Sequence, residues 1–120
     1  MGTGTVEFTT ENFGEKTSGD GITFVDFWAS WCGPCVRFAP VYERAAEANP
    51  DITFGKVDTE AQGELAAHFN IQSIPTIMAI RDGVIVYAQP GALPEVAFTD
   101  LIQKVRELDM EQVKADAKAA

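Results

Sequence analysis

The chain has 120 residues, 46% of them hydrophobic, and a formal net charge of −9 at pH 7. This length and composition predict one globular domain with a core of its own. The acidic excess argues against nucleic acid and anionic membrane surfaces as partners, and the sequence has no apolar run of about eighteen residues that would cross a membrane.

The start of the chain, MGTGTVEFTTENFGEKTSGDG, has no basic segment followed by an apolar one. It therefore does not have the pattern of a secretory signal, and we expect a cytoplasmic protein. Val6 and Phe8 indicate a short strand, and a helix is predicted to begin near Thr10 or Glu11. Residues 22–29 form an apolar run rich in β-branched and aromatic side chains, which predicts a central strand buried on both faces.

Residues 34–48 predict a long helix, which Asn49-Pro50 ends. Pro40 lies inside it and is expected to kink it, because proline lacks the backbone donor of its turn. Apolar residues at helical spacing mark the expected inward face of this helix, namely Val36, Ala39, Tyr42 and Ala46.

The second half of the chain predicts strands over residues 52–57, 76–80 and 84–87, with a short helix over 61–69 between the first two. Asp82-Gly83 suits a tight hairpin turn, which requires positive φ angles. The residues expected to face inward from the short helix and from the last helix are Leu65, Ala66, Phe69, Phe98, Leu101, Ile102 and Val105.

The order of elements, β-α-β-α-β-α-β-β-α, predicts the α/β class: a mixed sheet with helices on both faces and an antiparallel hairpin at one edge. We divide the chain into a domain over residues 1–108 and a polar extension over 109–120. Asp109 and Gln112 could start a further helix in that extension. Cys32 would lie just beyond the C-terminal end of a central strand, where such sheets place their chemistry.

The only two cysteines of the chain, Cys32 and Cys35, are two residues apart. A disulfide that closes so short a loop contributes about 2 kcal/mol at most, so a purely structural bridge explains it poorly. A zinc site would need more ligands, and the sequence offers one histidine, His68, which we expect to be a solvated helix residue. Reversible thiol chemistry without a metal is the better interpretation.

Cys32 is expected at the junction of strand and helix, where the helix N-terminus stabilises a thiolate. Cys35 follows one helical turn later and should be the less exposed of the two. We predict that Cys32 is the nucleophile of thiol–disulfide exchange and that Cys35 resolves the mixed disulfide. Gly33 allows close backbone approach, and Pro34 suits the first helical turn.

Asp26 interrupts the apolar run of the central strand. Burial there would raise the pKa of its carboxyl group, so that it could exchange a proton with Cys35 near neutral pH. The alternative is a carboxylate that pairs with Lys56, the one cation of the next predicted strand. Both interpretations can hold together, with Lys56 limiting how far the pKa rises.

Taken together, these motifs resemble the thioredoxin family. WCGPC is preceded by VDFWA and followed about forty residues later by IPT, and the resemblance covers roughly residues 5–107. It extends to Pro40, Lys56-Val57-Asp58, Asp82-Gly83 and Gly91-Ala92. It implies the thioredoxin fold, a central mixed five-stranded sheet flanked by helices on both faces. The chain departs from the common pattern at Val36, where many members carry lysine, although Arg37 comes next, and at Pro90.

The resemblance also implies site residues. It implies a cis bond before Pro75 and a backbone at Ile74 that is free to pair with an extended substrate strand. The Gly33-Pro34 pair resembles that of the strongly reducing members and would tune the redox potential. The flat apolar surface that would receive partner proteins is formed by Trp31, Gly33, Pro34, Ile74, Pro75, Gly91 and Ala92.

Finally, the resemblance implies a monomeric electron carrier with protein-disulfide reductase activity and a role in cell redox homeostasis. No cofactor would be bound, and NADPH would be used indirectly through thioredoxin reductase. The substrates would be disulfide-containing proteins. Two other functions stay open: a binding module that works independently of its thiols, and an oxidase or isomerase in an oxidising compartment.

Overall fold

The computed structural model describes residues 4–119, so the two predicted segments, 1–108 and 109–120, lie partly outside it. The strands are β1 (Thr5–Glu7), β2 (Ile22–Trp28), β3 (Thr53–Asp58), β4 (Thr76–Arg81) and β5 (Val84–Pro90). The helices are α1 (Phe13–Thr17), α2 (Gly33–Ala48), α3 (Gly63–His68), α4 (Glu95–Arg106) and α5 (Met110–Ala119). None of these helices is long and apolar enough to cross a membrane.

The five strands form one mixed sheet in the order β1-β3-β2-β4-β5. β2 lies in the centre, parallel to β3 and antiparallel to β4. β4 and β5 form the predicted antiparallel hairpin. The prediction of a mixed five-stranded sheet is therefore confirmed, and the central position of β2 explains its nearly continuous apolar sequence.

Side chains alternate between two cores along β2. Phe24 packs into a core with α2 and α4 on one face of the sheet, where its ring stacks on Phe54 and meets the edge of Phe98. Val25 and Phe27 point to the other face, into a core with α1 and α3. By this alternation Asp26 faces the same side as Phe24, toward α2 and α4. Helices on both faces are thus confirmed.

The inward face of α2 differs from the prediction. Val36 is 55% exposed, and the buried residues of the helix are Cys35, Phe38, Tyr42 and Ala46. Two sets of positions satisfy the helical spacing, and they share Tyr42 and Ala46. The disulfide decides between them, because Cys35 must face inward to reach Cys32 and thereby turns Val36 toward solvent.

Two further boundaries differ. Thr9 and Asn12 hydrogen-bond each other's backbone amides through their side chains, at 3.1 and 2.8 Å, so a turn precedes α1 and the helix begins later than predicted. β5 is longer than predicted and includes Pro90, which lies opposite Thr76. Proline is tolerated there because β5 is an edge strand, where a missing backbone donor breaks no ladder hydrogen bond.

The extension forms a helix, as its sequence indicates. Asp109 Oδ1 accepts a hydrogen bond from the Gln112 amide at 3.3 Å, at the start of α5. Lys114 of α5 lies 4.0 Å from Asp82 in the β4–β5 turn. The division of the chain after residue 108 stays a prediction.

Candidate functional site: a disulfide at the start of α2

Cys32 and Cys35 form a disulfide, with their Cα atoms 5.2 Å apart. Cys32 is the N-cap of α2, at the C-terminal end of the central strand. Its Sγ accepts a hydrogen bond from the Cys35 amide at 3.2 Å, and its carbonyl oxygen accepts one from the Val36 amide at 3.0 Å. The helix N-terminus therefore directs one amide donor, that of Cys35, at this sulfur, an arrangement that favours a negative charge on it in the reduced state. Cys32 is 5% exposed and Cys35 2%.

A loop from the other half of the chain lies against the disulfide. The Ile74–Pro75 bond is cis, and the Ile74 carbonyl oxygen lies 3.7 Å from Cys32 Sγ. The Pro75 carbonyl accepts a hydrogen bond from the Gly91 amide at 2.7 Å, which joins this loop to the segment after β5. Gly91 has a φ of +111°, a conformation that favours glycine. Residues distant in sequence thus meet beyond the C-terminal end of the central strand β2.

The residues predicted to form the docking surface differ in their exposure. Trp31 is 68% exposed, and its side chain projects into solvent. Ile74 is half-buried and packs against the cysteines, and Pro75 is buried. The remaining predicted surface residues are all exposed, namely Gly33, Pro34, Gly91 and Ala92.

Asp26 is completely buried, and neither of its carboxyl oxygens has a hydrogen-bond partner in the described structure. Lys56 of β3 lies opposite it in the parallel register, and Ile77 of β4 lies opposite it on the other side. Burial raises the pKa of Asp26 to about 7, and the positive charge of Lys56 limits the rise. A carboxyl group with this pKa can both accept and release a proton near neutral pH.

Lys56 acts on Asp26 without a close ion pair, since none within 4.0 Å joins the two residues in the described structure. Its Nζ lies 4.7 Å from the centroid of the Trp28 ring, which holds the ammonium by a cation–π contact. Trp28 is not among the site residues predicted from the sequence. It is half-buried beside the cysteines. Its position two residues after Asp26, on the same face of β2, could have indicated that it belongs to the site.

Tyr42 is a second buried polar group on this side of the sheet. Its hydroxyl donates a hydrogen bond to the Gly55 carbonyl at 2.7 Å. Burial, followed by the nearby charge of Asp26, raises the pKa of Tyr42 well above its ordinary value. Tyr42 therefore stays neutral near pH 7. The sequence analysis placed Tyr42 only in the core.

Among the described residues, no group of three or more histidine, cysteine, aspartate and glutamate side chains could hold a metal ion. His68 is exposed at the end of α3, and its ring packs edge-on against Phe69 with centroids 4.8 Å apart. His68 thus has a contact with the core and none with the disulfide site.

Comparisons with known proteins bear on this site. The thioredoxin family model matches residues 4–107. A Streptomyces coelicolor protein assigned as thioredoxin 2 is 61% identical over 112 residues, which cover 93% of this chain and 84% of the relative. The Bacillus subtilis thioredoxin is 36% identical over 100 residues, 82% of this chain and 95% of its own.

The fold is also found in solved structures. A mutant thioredoxin from Halobacterium salinarum superposes with a TM-score of 0.80 at 31% identity, over 88% of this chain and 94% of its own. The family match, the relatives and the fold agree with the resemblance carried by WCGPC and IPT. The chain therefore belongs to the thioredoxin family of disulfide reductases, and Cys32 and Cys35 are its redox-active pair.

Proposed function

We propose that the protein reduces disulfides in other proteins, with Cys32 as nucleophile, Cys35 as resolving thiol and Asp26 as proton carrier. The observation that carries this proposal is the Cys32–Cys35 disulfide at the N-terminus of α2, beside the backbone of Ile74. Within the described structure the Ile74 amide has no hydrogen-bond partner, so it is available to an extended segment of a substrate.

The first step breaks the substrate disulfide. In the reduced protein the Cys32 thiolate attacks one sulfur of the substrate, forming a mixed disulfide. The other substrate sulfur leaves as a thiolate and takes up a proton. The Cys35 amide that donates to Cys32 Sγ, together with the N-terminus of α2, favours the attacking thiolate. Trp31, Pro75, Gly91 and Ala92 would contact the substrate chain around its disulfide.

The second step needs a base, because Cys35 is buried and has a thiol proton to lose. The Asp26 carboxylate accepts that proton, and the Cys35 thiolate attacks Cys32 Sγ. The second substrate sulfur leaves as a thiolate and is protonated, and the Cys32–Cys35 disulfide forms. Two electrons have then passed to the substrate. Lys56 keeps the pKa of Asp26 close enough to neutral for the carboxylate to be populated.

A return supply of two electrons completes the cycle. We propose that thioredoxin reductase supplies them from NADPH, so that the protein needs no bound cofactor, and that the cycle runs in the reducing cytoplasm. The Gly33-Pro34 pair between the cysteines supports a strongly reducing role, because it matches the reducing members of the family in sequence. Chemistry that reduces other proteins is sustained only where the dithiol form is regenerated.

The proposal is tested with insulin, NADPH and a bacterial thioredoxin reductase. We expect turnover with the unmodified protein and a fall to background with Cys32→Ser, because the nucleophile is lost. Cys35→Ser should accumulate a covalent mixed disulfide with the substrate, visible by mass spectrometry and released by dithiothreitol. Absence of turnover in the unmodified protein would overturn the reductase function.

The proton-transfer role of Asp26 needs its own test. With Asp26→Asn, the release of substrate from the mixed disulfide should slow at pH 7, because no carboxylate takes the Cys35 proton. Raising the pH toward the range where the thiol ionises by itself should narrow the difference from the unmodified protein. Equal release rates at pH 7 would remove Asp26 from the mechanism and leave the reductase function standing.

A further inference from the structure

The Arg37 side chain lies against the first turn of α2, where the cysteines are. It follows Gly33 by one helical turn of α2, and its guanidinium folds back over that residue. A Cβ atom built on Gly33 would lie 3.2 Å from Arg37 Nη1 and 3.9 Å from Arg37 Cζ. The absence of a side chain at Gly33 therefore gives the planar guanidinium room to rest on the backbone between Cys32 and Cys35.

In the described structure Arg37 makes no ion pair and no hydrogen bond, although the chain carries a net charge of −9. Other arginines do have partners: Arg44 pairs with Glu95 at 2.8 Å, and Arg106 pairs with Asp51 at 2.7 Å. Acidic residues are abundant, yet among the described residues no carboxylate lies within 4.0 Å of the Arg37 guanidinium. The first turn of α2 contains no acidic residue either.

Two large side chains close to Arg37 in the sequence are apolar and exposed. Trp31 is 68% exposed and Val36 is 55% exposed, so both belong to the few large hydrophobic side chains that face solvent in the described structure. We call Trp31, Val36 and Arg37 the recognition rim. The rim joins two apolar contacts to one unpaired cation beside a helix N-terminus, which itself favours negative charge. Its chemistry is complementary to an apolar segment that carries a carboxylate.

We propose that Arg37 is a specificity-determining residue that binds a carboxylate of the substrate segment, within a few residues of the disulfide that is reduced. A guanidinium can hold a carboxylate through two parallel hydrogen bonds, which fixes the orientation of the bound segment as well as attracting it. Trp31 and Val36 contact apolar side chains of the same segment. This inference rests on the proposed reductase function, and it adds the class of substrate that this chain prefers.

The test uses three synthetic peptides that share one intramolecular disulfide and differ only in their flanking residues, which are glutamate, glutamine or lysine. The pre-reduced protein is mixed with each peptide, and the second-order rate constant of reduction is measured. We expect the glutamate peptide to react about two- to fivefold faster than the glutamine peptide, the range typical of an exposed ion pair, and the lysine peptide to react slowest. At 0.5 M NaCl these ratios should shrink toward one.

Arg37→Glu should reverse the order of the three peptides. The matched control is Lys16→Glu, which makes the same change in net charge. Lys16 lies in α1, before the start of β2 and at the opposite end of that strand from Cys32, and it has no ion pair in the described structure. The control should keep the preference for glutamate, because the preference depends on a local contact and not on total charge.

Two results would overturn the proposal. In the first, Arg37→Glu keeps the glutamate-to-lysine ratio of the unmodified protein. In the second, it slows all three peptides equally and also slows alkylation of Cys32 by uncharged iodoacetamide, which would mean that Arg37 acts on the thiolate. If the unmodified protein reduces none of the three peptides, the reductase function fails before Arg37 is tested.

Discussion

The polar groups of Gly21, Arg81 and Asp82 at the start of β2 have partners in the described structure, whereas several polar groups around its end have none. At the start, the Gly21 amide donates to Asp82 Oδ1 at 2.8 Å, and the Asp82 amide donates to the Gly21 carbonyl at 2.8 Å. Arg81 lies in the same region and donates to three carbonyl oxygens at and just beyond the end of α4, those of Val105, Arg106 and Leu108. These hydrogen bonds stabilise the fold at this end of β2.

The end of β2 is different. Both oxygens of the buried Asp26 lack partners, as do the Ile74 amide and the Arg37 guanidinium, within the part of the chain that the structure describes. In the two proposals made above, each of these groups acts on a second molecule or on a moving proton. A partner inside the protein would improve stability and compete with the proposed role. Under these proposals, the unsatisfied groups mark the end of the strand where the reaction takes place.

The largest effect should come from Asp26→Asn. The pKa of Asp26 is about 7 in the folded protein and near 3.8 when the group is free. Between these two pH values the folded state therefore binds one proton more than the unfolded state. The free energy of unfolding of the unmodified protein should fall as pH rises from about 4 to about 7, by about 2–4 kcal/mol, because the folded state must then hold a buried charge.

Asparagine cannot ionise, so the variant should lack this pH dependence. Urea unfolding at pH 8 should show Asp26→Asn to be more stable by about 2–4 kcal/mol, with nearly equal stabilities at pH 4. The same variant resolves mixed disulfides slowly under the proposed mechanism, so it exchanges activity for stability. If the stability difference between Asp26→Asn and the unmodified protein were the same at pH 8 as at pH 4, the raised pKa would be contradicted.

Much of this site could be predicted from the sequence because its signals are local. Cys32, Cys35 and Asp26 stand out by spacing and by the apolar run around them. The proximity of Lys56 to Asp26 follows once residues 22–29 and 52–57 are neighbouring parallel strands. The order of elements was sufficient to predict the mixed sheet, since strand alternation and one hairpin allow few other arrangements.

The remaining features depend on packing between distant segments. The cation–π contact of Lys56 with Trp28 requires the register between β2 and β3, which a continuous apolar run does not specify. The outward position of Val36 follows from the disulfide, because helical spacing alone allowed either face. The placement of the Arg37 side chain over Gly33 depends on its rotamer, which no sequence pattern predicts.

An intermediate effect is expected at the stabilising end of β2. Arg81→Met should lower the free energy of unfolding by about 1–3 kcal/mol, because three carbonyl oxygens at the end of α4 lose a charged donor. The rate of disulfide reduction should not change. Urea unfolding and the peptide reduction assay measure the two quantities, and Arg81→Lys, which keeps the charge, should recover part of the loss. A matching loss of reduction rate would show that the two ends are coupled.

The smallest effect should come from removing α5, which is held near the start of β2 by weak contacts. Lys114 and Asp82 are 4.0 Å apart, and their side chains are 50% and 20% exposed, so this pair contributes little. Met110 and Val113 are only half-buried, and ordering a short helix costs entropy that such contacts scarcely offset.

A chain ending at Asp109 keeps the Leu108 carbonyl that accepts from Arg81. It should lose less than about 1 kcal/mol in urea unfolding and reduce the peptides at an unchanged rate. Lys114→Ala should account for part of any loss. A larger destabilisation would move the boundary of the folded domain beyond residue 108 and make α5 part of the stabilising end.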